Sequence, residues 1–255
     1  MPEQFSTTLC PSERKLIIEE HDFFVSELIG RVFSSFRDIS SEADQEAHDH
    51  YEALASLPDS YGVDLGSAAG QAFDRGFELY DSLWEMKRQV TFGALAILYQ
   101  QWDKGIRTFI ERELGFFVCR DWLENAIWEV NLENIIKFLK NQGWNIKGYP
   151  WFAEIDAMRL LVNVFKHGKG QSFDQLCKQY PQYARGPFAL FSDDKSGLFK
   201  DMYGLPDQLE ISEKQFQEFA DAIRGFWLSF PESINVHSND LRFLDTRRKQ
   251  KPPKQ

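Results

Sequence analysis

AFDRGFELYDSLWEMKRQVTFGALAILYQQWDKGIRTFIEREL, residues 72–114, decides the fold class. Leu79, Leu83, Met86, Val90, Gly93 and Ile97 alternate spacings of four and three, a seam of the kind that lets one helix pack along another. Trp102, Ile106, Phe109, Ile110 and Leu114 continue the apolar face with a phase shift. The pattern predicts a long helix, which uninterrupted would extend about 65 Å. Gly93 and Gly105 are where a break or bend is expected, because glycine lowers helix propensity. The seam suits an intramolecular core or a dimer interface, and the spacing allows both.

Outward from this stretch, the rest of the chain also reads as helix. Ser12 follows Pro11 as a predicted N-cap for a helix to about Phe36, with Leu16, Phe24, Leu28, Val32 and Phe36 on its apolar stripe. A more polar helix is expected over Ser41 to Leu57, and a loop over Pro58 to Gly70. On the other side, one helix is predicted from Arg120 to Asn141 and another from Trp151 to His167, the latter stopped by Gly168 and Gly170. Ser172 with Gln175, and Ser212 with Gln215, read as capping boxes. The first opens a short helix ending at Pro181, and the second opens a helix reaching about Phe230. Residues 181–211 read as irregular, with a short strand near Leu209 to Ile211. No alternating run is long enough to predict a sheet. The expectation is an all-α, antiparallel helical bundle with one long helix, forming a single domain over 1–237. Residues 238–255 form a basic tail expected to be disordered.

Composition narrows the function classes. Of 255 residues, 43% are hydrophobic and 15% aromatic, which supplies a core and excludes a low-complexity chain. No apolar run reaches the roughly 18 residues of a membrane span, and no secretory signal precedes the first helix. Cys10, Cys119 and Cys177 show no paired spacing, as expected of a cytoplasmic protein without a disulfide scaffold. The net charge of −10 argues against broad coating of nucleic acid. The charge is uneven, however. Between Arg159 and Arg185 the chain has Lys166, Lys169 and Lys178 as well, against Asp174 alone. The tail carries Arg242, Arg247, Arg248, Lys249, Lys251 and Lys254 against Asp240 and Asp245. An acidic body thus bears a basic island and a basic end. The body is a surface for a basic protein partner, and the island a local contact for RNA.

The island holds the one constellation with evident chemistry, WFAEIDAMRLLVNVFKHGKG at residues 151–170. With Arg159 set at 0°, Asn163 falls at about 40°, His167 at about 80°, Asp156 at about 60° and Lys166 at about −20°. Met158, Leu161, Val162 and Phe165 occupy the other side. A fixed cation, an amide and an imidazole thus share one strip. The imidazole can move a proton to or from a 2′-hydroxyl or a leaving oxygen. The guanidinium can hold a phosphate, and the amide can orient either group. This chemistry calls for no metal and no cofactor. The plainer structural reading is also available: Arg159 pairs with Asp156, and Lys166 and His167 cap the last turn of the helix.

A long helix carrying ALAILYQQWDKGIRTFIEREL followed by the RLLVNVFKHGKG helix resembles the HEPN superfamily (higher eukaryote and prokaryote nucleotide-binding domains). The resemblance covers about residues 72–180. It implies an α-helical bundle, often a homodimer, and a metal-independent endoribonuclease of the kind found in toxin–antitoxin and antiphage systems. It equally admits a non-catalytic module that binds a protein partner or nucleotide. The family's motif is an arginine, usually followed by a polar residue, then four to six residues, then histidine. Here Leu160 follows Arg159, and seven residues separate it from His167. Cleavage is then either lost, or Asn163 and His167 form the working pair with Arg159 as phosphate clamp. On the catalytic reading Arg159, Asn163 and His167 form the site, Asp156 supports it, and Lys166 and Lys169 contact the RNA backbone. If the analogy holds, two copies of this helix pool their arginines and histidines.

Other signals are weaker. Arg14 and His21 share the six-residue spacing, but among apolar positions, and are read as coincidence. Asp44 with His48 and Glu46 with His50 have metal-ligand spacing but occupy different faces, and read as a solvated acidic helix. Trp122, Trp128, Trp144 and Trp151 are expected in the core.

Overall fold

A computed structural model describes residues 4–57, 64–184, 209–237 and 240–241. The elements are β1 (Gln4–Thr8), α1 (Pro11–Glu27), α2 (Ile39–Ala55), α3 (Leu65–Leu114), α4 (Arg120–Glu129) and α5 (Leu132–Asn141). They continue with α6 (Phe152–His167), α7 (Gln171–Gln179), α8 (Pro181–Ala184), α9 (Glu213–Ser229) and β2 (Ser233–His237). The all-α class holds, and no described helix is long and apolar enough to cross a membrane.

The long helix is longer than its pattern predicts. At 50 residues, α3 runs without a break through Gly93 and Gly105. It begins inside the expected loop, because Asp64 caps it by accepting from the Ser67 amide at 3.0 Å. Gly66 and Gly70 therefore lie in its first turns. The predicted 58–63 part of that loop lies outside the described residues. The heptad seam is only partly covered. Leu79, Leu83, Val90 and Gly93 are half-buried, and Met86 and Ile97 are exposed. The helix's buried set shifts instead to Phe92, Leu95, Leu98, Trp102, Ile106, Phe109 and Ile110.

Around that half of α3 the other elements gather. α1 runs antiparallel to it, with Arg112 bonded to Glu13 at one end and Phe24 sharing a groove with Leu98 at the other. α6 is also antiparallel to α3, with Phe165 stacked on Phe92 at 5.3 Å. α9 runs parallel to α3: Phe226 meets Trp102 at 5.4 Å and Phe230 meets Phe109 at 4.9 Å. Trp144 and Trp151 pack into the same aromatic cluster around Phe226, whereas Trp122 and Trp128 are exposed, against expectation. The N-terminal half of α3 pairs antiparallel with α2, through a stripe of small residues at Ala43, Ala47 and Gly76.

Several boundaries depart from the sequence reading for identifiable reasons. Cys10, extended at φ −70 and ψ 152, is the N-cap of α1, and Pro11 takes the first helical position, where its missing N–H costs nothing. Ser12 is therefore inside the helix. The predicted continuation to Phe36 is present but changes pitch, through a π turn at Leu28–Val32 and a 3-10 turn at Phe33–Phe36. Leu16, expected to face inward, is exposed. Ser172 caps nothing: α7 starts one residue earlier after Gly170. The Ser212–Gln215 capping box is present in full. No strand forms at Leu209–Ile211, and 185–208 lies outside the described residues, as does the tail except Asp240 and Leu241.

A small sheet was not expected. β1 and β2 pair antiparallel from Gln4↔His237 to Thr8↔Ser233, and both alternate exposed and buried residues. Five residues are too few for a period of two to stand out. Phe5 stacks on Phe117 at 4.3 Å, and the Thr8 amide donates to Glu113 at 2.8 Å, so the sheet is fastened to the end of α3.

The predicted single helix from Arg120 to Asn141 is two helices. Val130 is extended, at φ −73 and ψ 139, and Asn131 restarts the chain by accepting from the Asn134 amide at 2.9 Å. Arg107 of α3, buried, holds this corner. Its Nη1 donates to the Ile127 carbonyl at 2.6 Å and the Val130 carbonyl at 2.8 Å, while Nε reaches Asp103 at 2.8 Å. Arg107→Ala strands two carbonyls and a carboxylate, and should cost about 3 kcal/mol in urea unfolding. At Gly225 a Cβ would lie 2.9 Å from Trp151 Cδ1, directly before α6. Gly225→Ala should displace that ring and cost about 1–3 kcal/mol in the same measurement.

Candidate functional site

The helix α6 is held on three sides. Ile155, Ala157, Met158, Leu160, Leu161, Val162 and Val164 are all buried. It ends where Gly168 turns to φ 69, a conformation that favours glycine, with its N–H bonded to the Val164 carbonyl at 2.7 Å. What remains accessible is the polar strip seen in the sequence. Arg159 and Asn163 are half-buried, while Lys166, His167 and Lys169 are exposed.

At the N-terminal end of the strip, Asp156 and Arg159 come together. Arg159 donates from Nε at 2.9 Å and Nη2 at 2.7 Å, both to Oδ1 of Asp156. The other oxygen, Oδ2, accepts from the Tyr180 hydroxyl at 3.0 Å. Asp156 thus fixes the guanidinium between two helices, α6 and the end of α7. Arginine has five N–H donors, so three on Arg159 remain for a ligand. The plainer reading of an Asp156–Arg159 pair is therefore correct in geometry, yet it positions the arginine without saturating it.

This pair lines an open cleft of about 540 Å³. Its other walls are Asn131, Leu132, Glu133 and Ile136 from the start of α5, Lys147 and Phe152 before and at the start of α6, and Gln175 and Gln179 of α7. Lys147 lies over the Phe152 ring at 5.9 Å. Glu133 is bonded to Lys137 at 3.0 Å, and that lysine lowers its pKa. The cleft therefore presents Lys147 and Arg159 beside Asp156 and Glu133.

Asn163 and His167 do not line this cleft, and neither side chain has a hydrogen bond or ion pair within the described residues. His167 lies eight positions after Arg159, a rise of about 12 Å along the helix. The bonds to Asp156, one turn toward the N-terminus, hold the Arg159 guanidinium away from His167. The cleft's other polar residues escaped the sequence reading. Lys147 was detectable as a cation just before the helix. Asn131 was detectable as an N-cap type followed by Glu133 and Asn134. Tyr180 gave no signal, being 24 residues from its partner. Arg14 and His21 serve structure, as their spacing among apolar positions suggests: Arg14 donates to the Phe230 carbonyl at 2.6 Å, and His21 Nε2 to the Ala220 carbonyl at 2.9 Å. Burial lowers the His21 pKa. In α2, Glu46 is taken by Arg75 at 2.8 Å and Asp49 accepts from Gln45 at 2.7 Å.

Three phenols around α6 titrate high. Burial, then the Asp103 carboxylate, raises Tyr99; burial, then Asp156, raises Tyr180; burial pushes Tyr183 up to about 12. A phenol with a folded pKa above its unfolded value near 10 stays protonated in the fold. Its contribution to stability is full below about pH 10 and is lost as pH rises from there toward the folded value. Melting temperature should thus fall more steeply above about pH 10 for the wild type than for Tyr180→Phe. Equal slopes would mean that Tyr180 ionises normally.

No protein-family model, no curated protein and no solved structure matches this chain.

Proposed function

We propose that the α6 face carries out metal-independent endoribonucleolytic cleavage of the HEPN type, in a site assembled from two copies of the chain. The observation that carries the proposal is the accessible strip itself. On a helix with one face buried, the positions left open hold a pre-oriented arginine with spare donors, an amide, an imidazole and Lys166, and Lys169 follows just past its end. With two α6 helices antiparallel about a two-fold axis, Arg159 of one copy approaches His167 of the other, which closes the 12 Å gap of about two helical turns. His167 takes the proton of the attacking 2′-hydroxyl, and Arg159 stabilises charge on the phosphorane-like transition state. The 2′-oxygen displaces the 5′-oxygen, which takes a proton from the His167 imidazolium or through water, giving a 2′,3′-cyclic phosphate and a 5′-hydroxyl. Asn163 orients the reacting groups, and Lys166 and Lys169 hold the flanking phosphates. A cytoplasmic toxin–antitoxin or antiphage role belongs to the same proposal.

Wild-type protein with EDTA and RNA should yield 5′-hydroxyl products, and His167→Ala or Arg159→Ala should each reduce the rate at least about a hundredfold. Mixing the two variants should restore cutting, because a mixed dimer contains one intact composite site. Unchanged cleavage by His167→Ala removes the assignment, and failure of the mixture removes the composite site.

A second reading, a non-catalytic module that binds a protein or nucleotide, is favoured by two observations. Arg159 already has a carboxylate partner, and His167 has no orienting partner among the described residues. It predicts no cleavage, together with loss of complex formation on charge reversal at Lys166 and Lys169.

A further inference from the structure

The far end of α3 carries a surface that the fold leaves open. Phe73, Phe77, Tyr80 and Trp84 recur along one face of the helix at spacings of four, three and four. The last of these, Trp84, is half-buried in a crevice shared with Glu210 and Ile211. The first three are 72, 62 and 40% exposed. Isolated exposed aromatics are ordinary, but adjacent ones on a helical stripe make a continuous apolar surface. These three wall a groove of about 270 Å³ with Ala43, Ala47 and Gly76 at its base. The base is fixed by contact, since a Cβ on Gly76 would stand 2.8 Å from the Ala47 Cβ and 2.9 Å from the Ala43 carbonyl oxygen.

The charge around the groove selects its occupant. α2 carries five carboxylates between Glu42 and Glu52 and no Lys or Arg, and Asp44 lines the groove itself. On the facing part of α3 the single cation, Arg75, is engaged by Glu46. A second copy docking here would set these carboxylates against their equals, which disfavours a self-paired hairpin. A neutral apolar segment would leave the rim uncompensated. We propose that the groove between α2 and α3 docks an amphipathic helix of a partner protein. Its apolar residues, at i, i+4 and i+7, enter between Phe73, Phe77 and Tyr80, and its flanking Lys and Arg face the α2 carboxylates. The site is separate from the α6 strip and does not rest on the cleavage proposal.

The test uses a fluorescein-labelled helical peptide of about 18 residues with leucines at those spacings and lysines elsewhere, and a twin with glutamates for lysines. Anisotropy should show binding of the lysine peptide alone. The double variant Phe73→Ser/Phe77→Ser should weaken it about tenfold or more, and Asp44→Lys several-fold. Both phenylalanines are exposed, so circular dichroism and behaviour on RNA should match the wild type. Equal binding by the two peptides would overturn the proposal, as would unchanged affinity of the double variant. So would a wild-type dimer that the double variant dissociates, since the groove would then belong to a second copy.

Discussion

The buried guanidinium of Arg107 ties the architecture of the site to the central helix. Three of its nitrogens are committed, two to Asp103 on its own helix and one to the carbonyls of Ile127 and Val130. Those carbonyls belong to the end of α4, where a helix leaves acceptors without donors. By supplying the donors from α3, Arg107 lets the chain stop at Val130, turn, and restart at Asn131. That corner places the first turn of α5 as one wall of the cleft opposite Arg159. Two turns earlier on α3, Tyr99 lies in the field of both Asp156 and Arg159. Tyr99, Asp103 and Arg107 of α3 and Asp156 and Arg159 of α6 thus form a polar layer, in which Arg107 is buried and the others are half-buried.

This layer explains what could be read from the sequence and what could not. Helix positions with apolar period were legible, since each is local: α3, α6 and α9 follow from spacing, and the Ser212–Gln215 box marks the start of α9. The split at Val130 was not legible, because its cause is an arginine 20 or more residues away. The sheet was illegible for a related reason. β1 and β2 come from opposite ends of the chain, each too short to declare a period, and their pairing depends on Phe117 and Glu113 beneath them. The start of α3 was hidden differently: glycines at 66 and 70 look like a loop, and only Asp64 as N-cap offsets their cost.

For the site, the helical strip was legible in full, because 100° arithmetic needs only one helix. Which residues meet the strip was not. Asp156 was placed beside Arg159 by its spacing of three, but its second partner, Tyr180, comes from the end of the next helix. Lys147 and Glu133 reach the cleft by way of the α4–α5 corner. The strip is thus divided: its Asp156–Arg159 end is built into a cleft, and its Asn163–His167 end faces outward. On the proposed function, the exposed imidazole and the half-buried amide beside Lys166 are one half of a site that a second copy completes.

On the proposed function, the net charge of −10 is reconciled with RNA at the α6 strip by distance along α3. The acidic helix α2 packs on α3 at Gly76, whereas the end of α6 that carries Lys166 packs on α3 at Phe92. The 16 residues from Gly76 to Phe92 span about 24 Å, about three times the screening length of about 8 Å at physiological ionic strength. A phosphate at Lys166 and Lys169 therefore feels the local cations and very little of the acidic hairpin. A basic helix at the hairpin likewise feels little of the α6 lysines. A single acidic average would describe neither face. The long, unbroken α3 keeps the acidic helix α2 and the lysine end of α6 on separate stretches of its length.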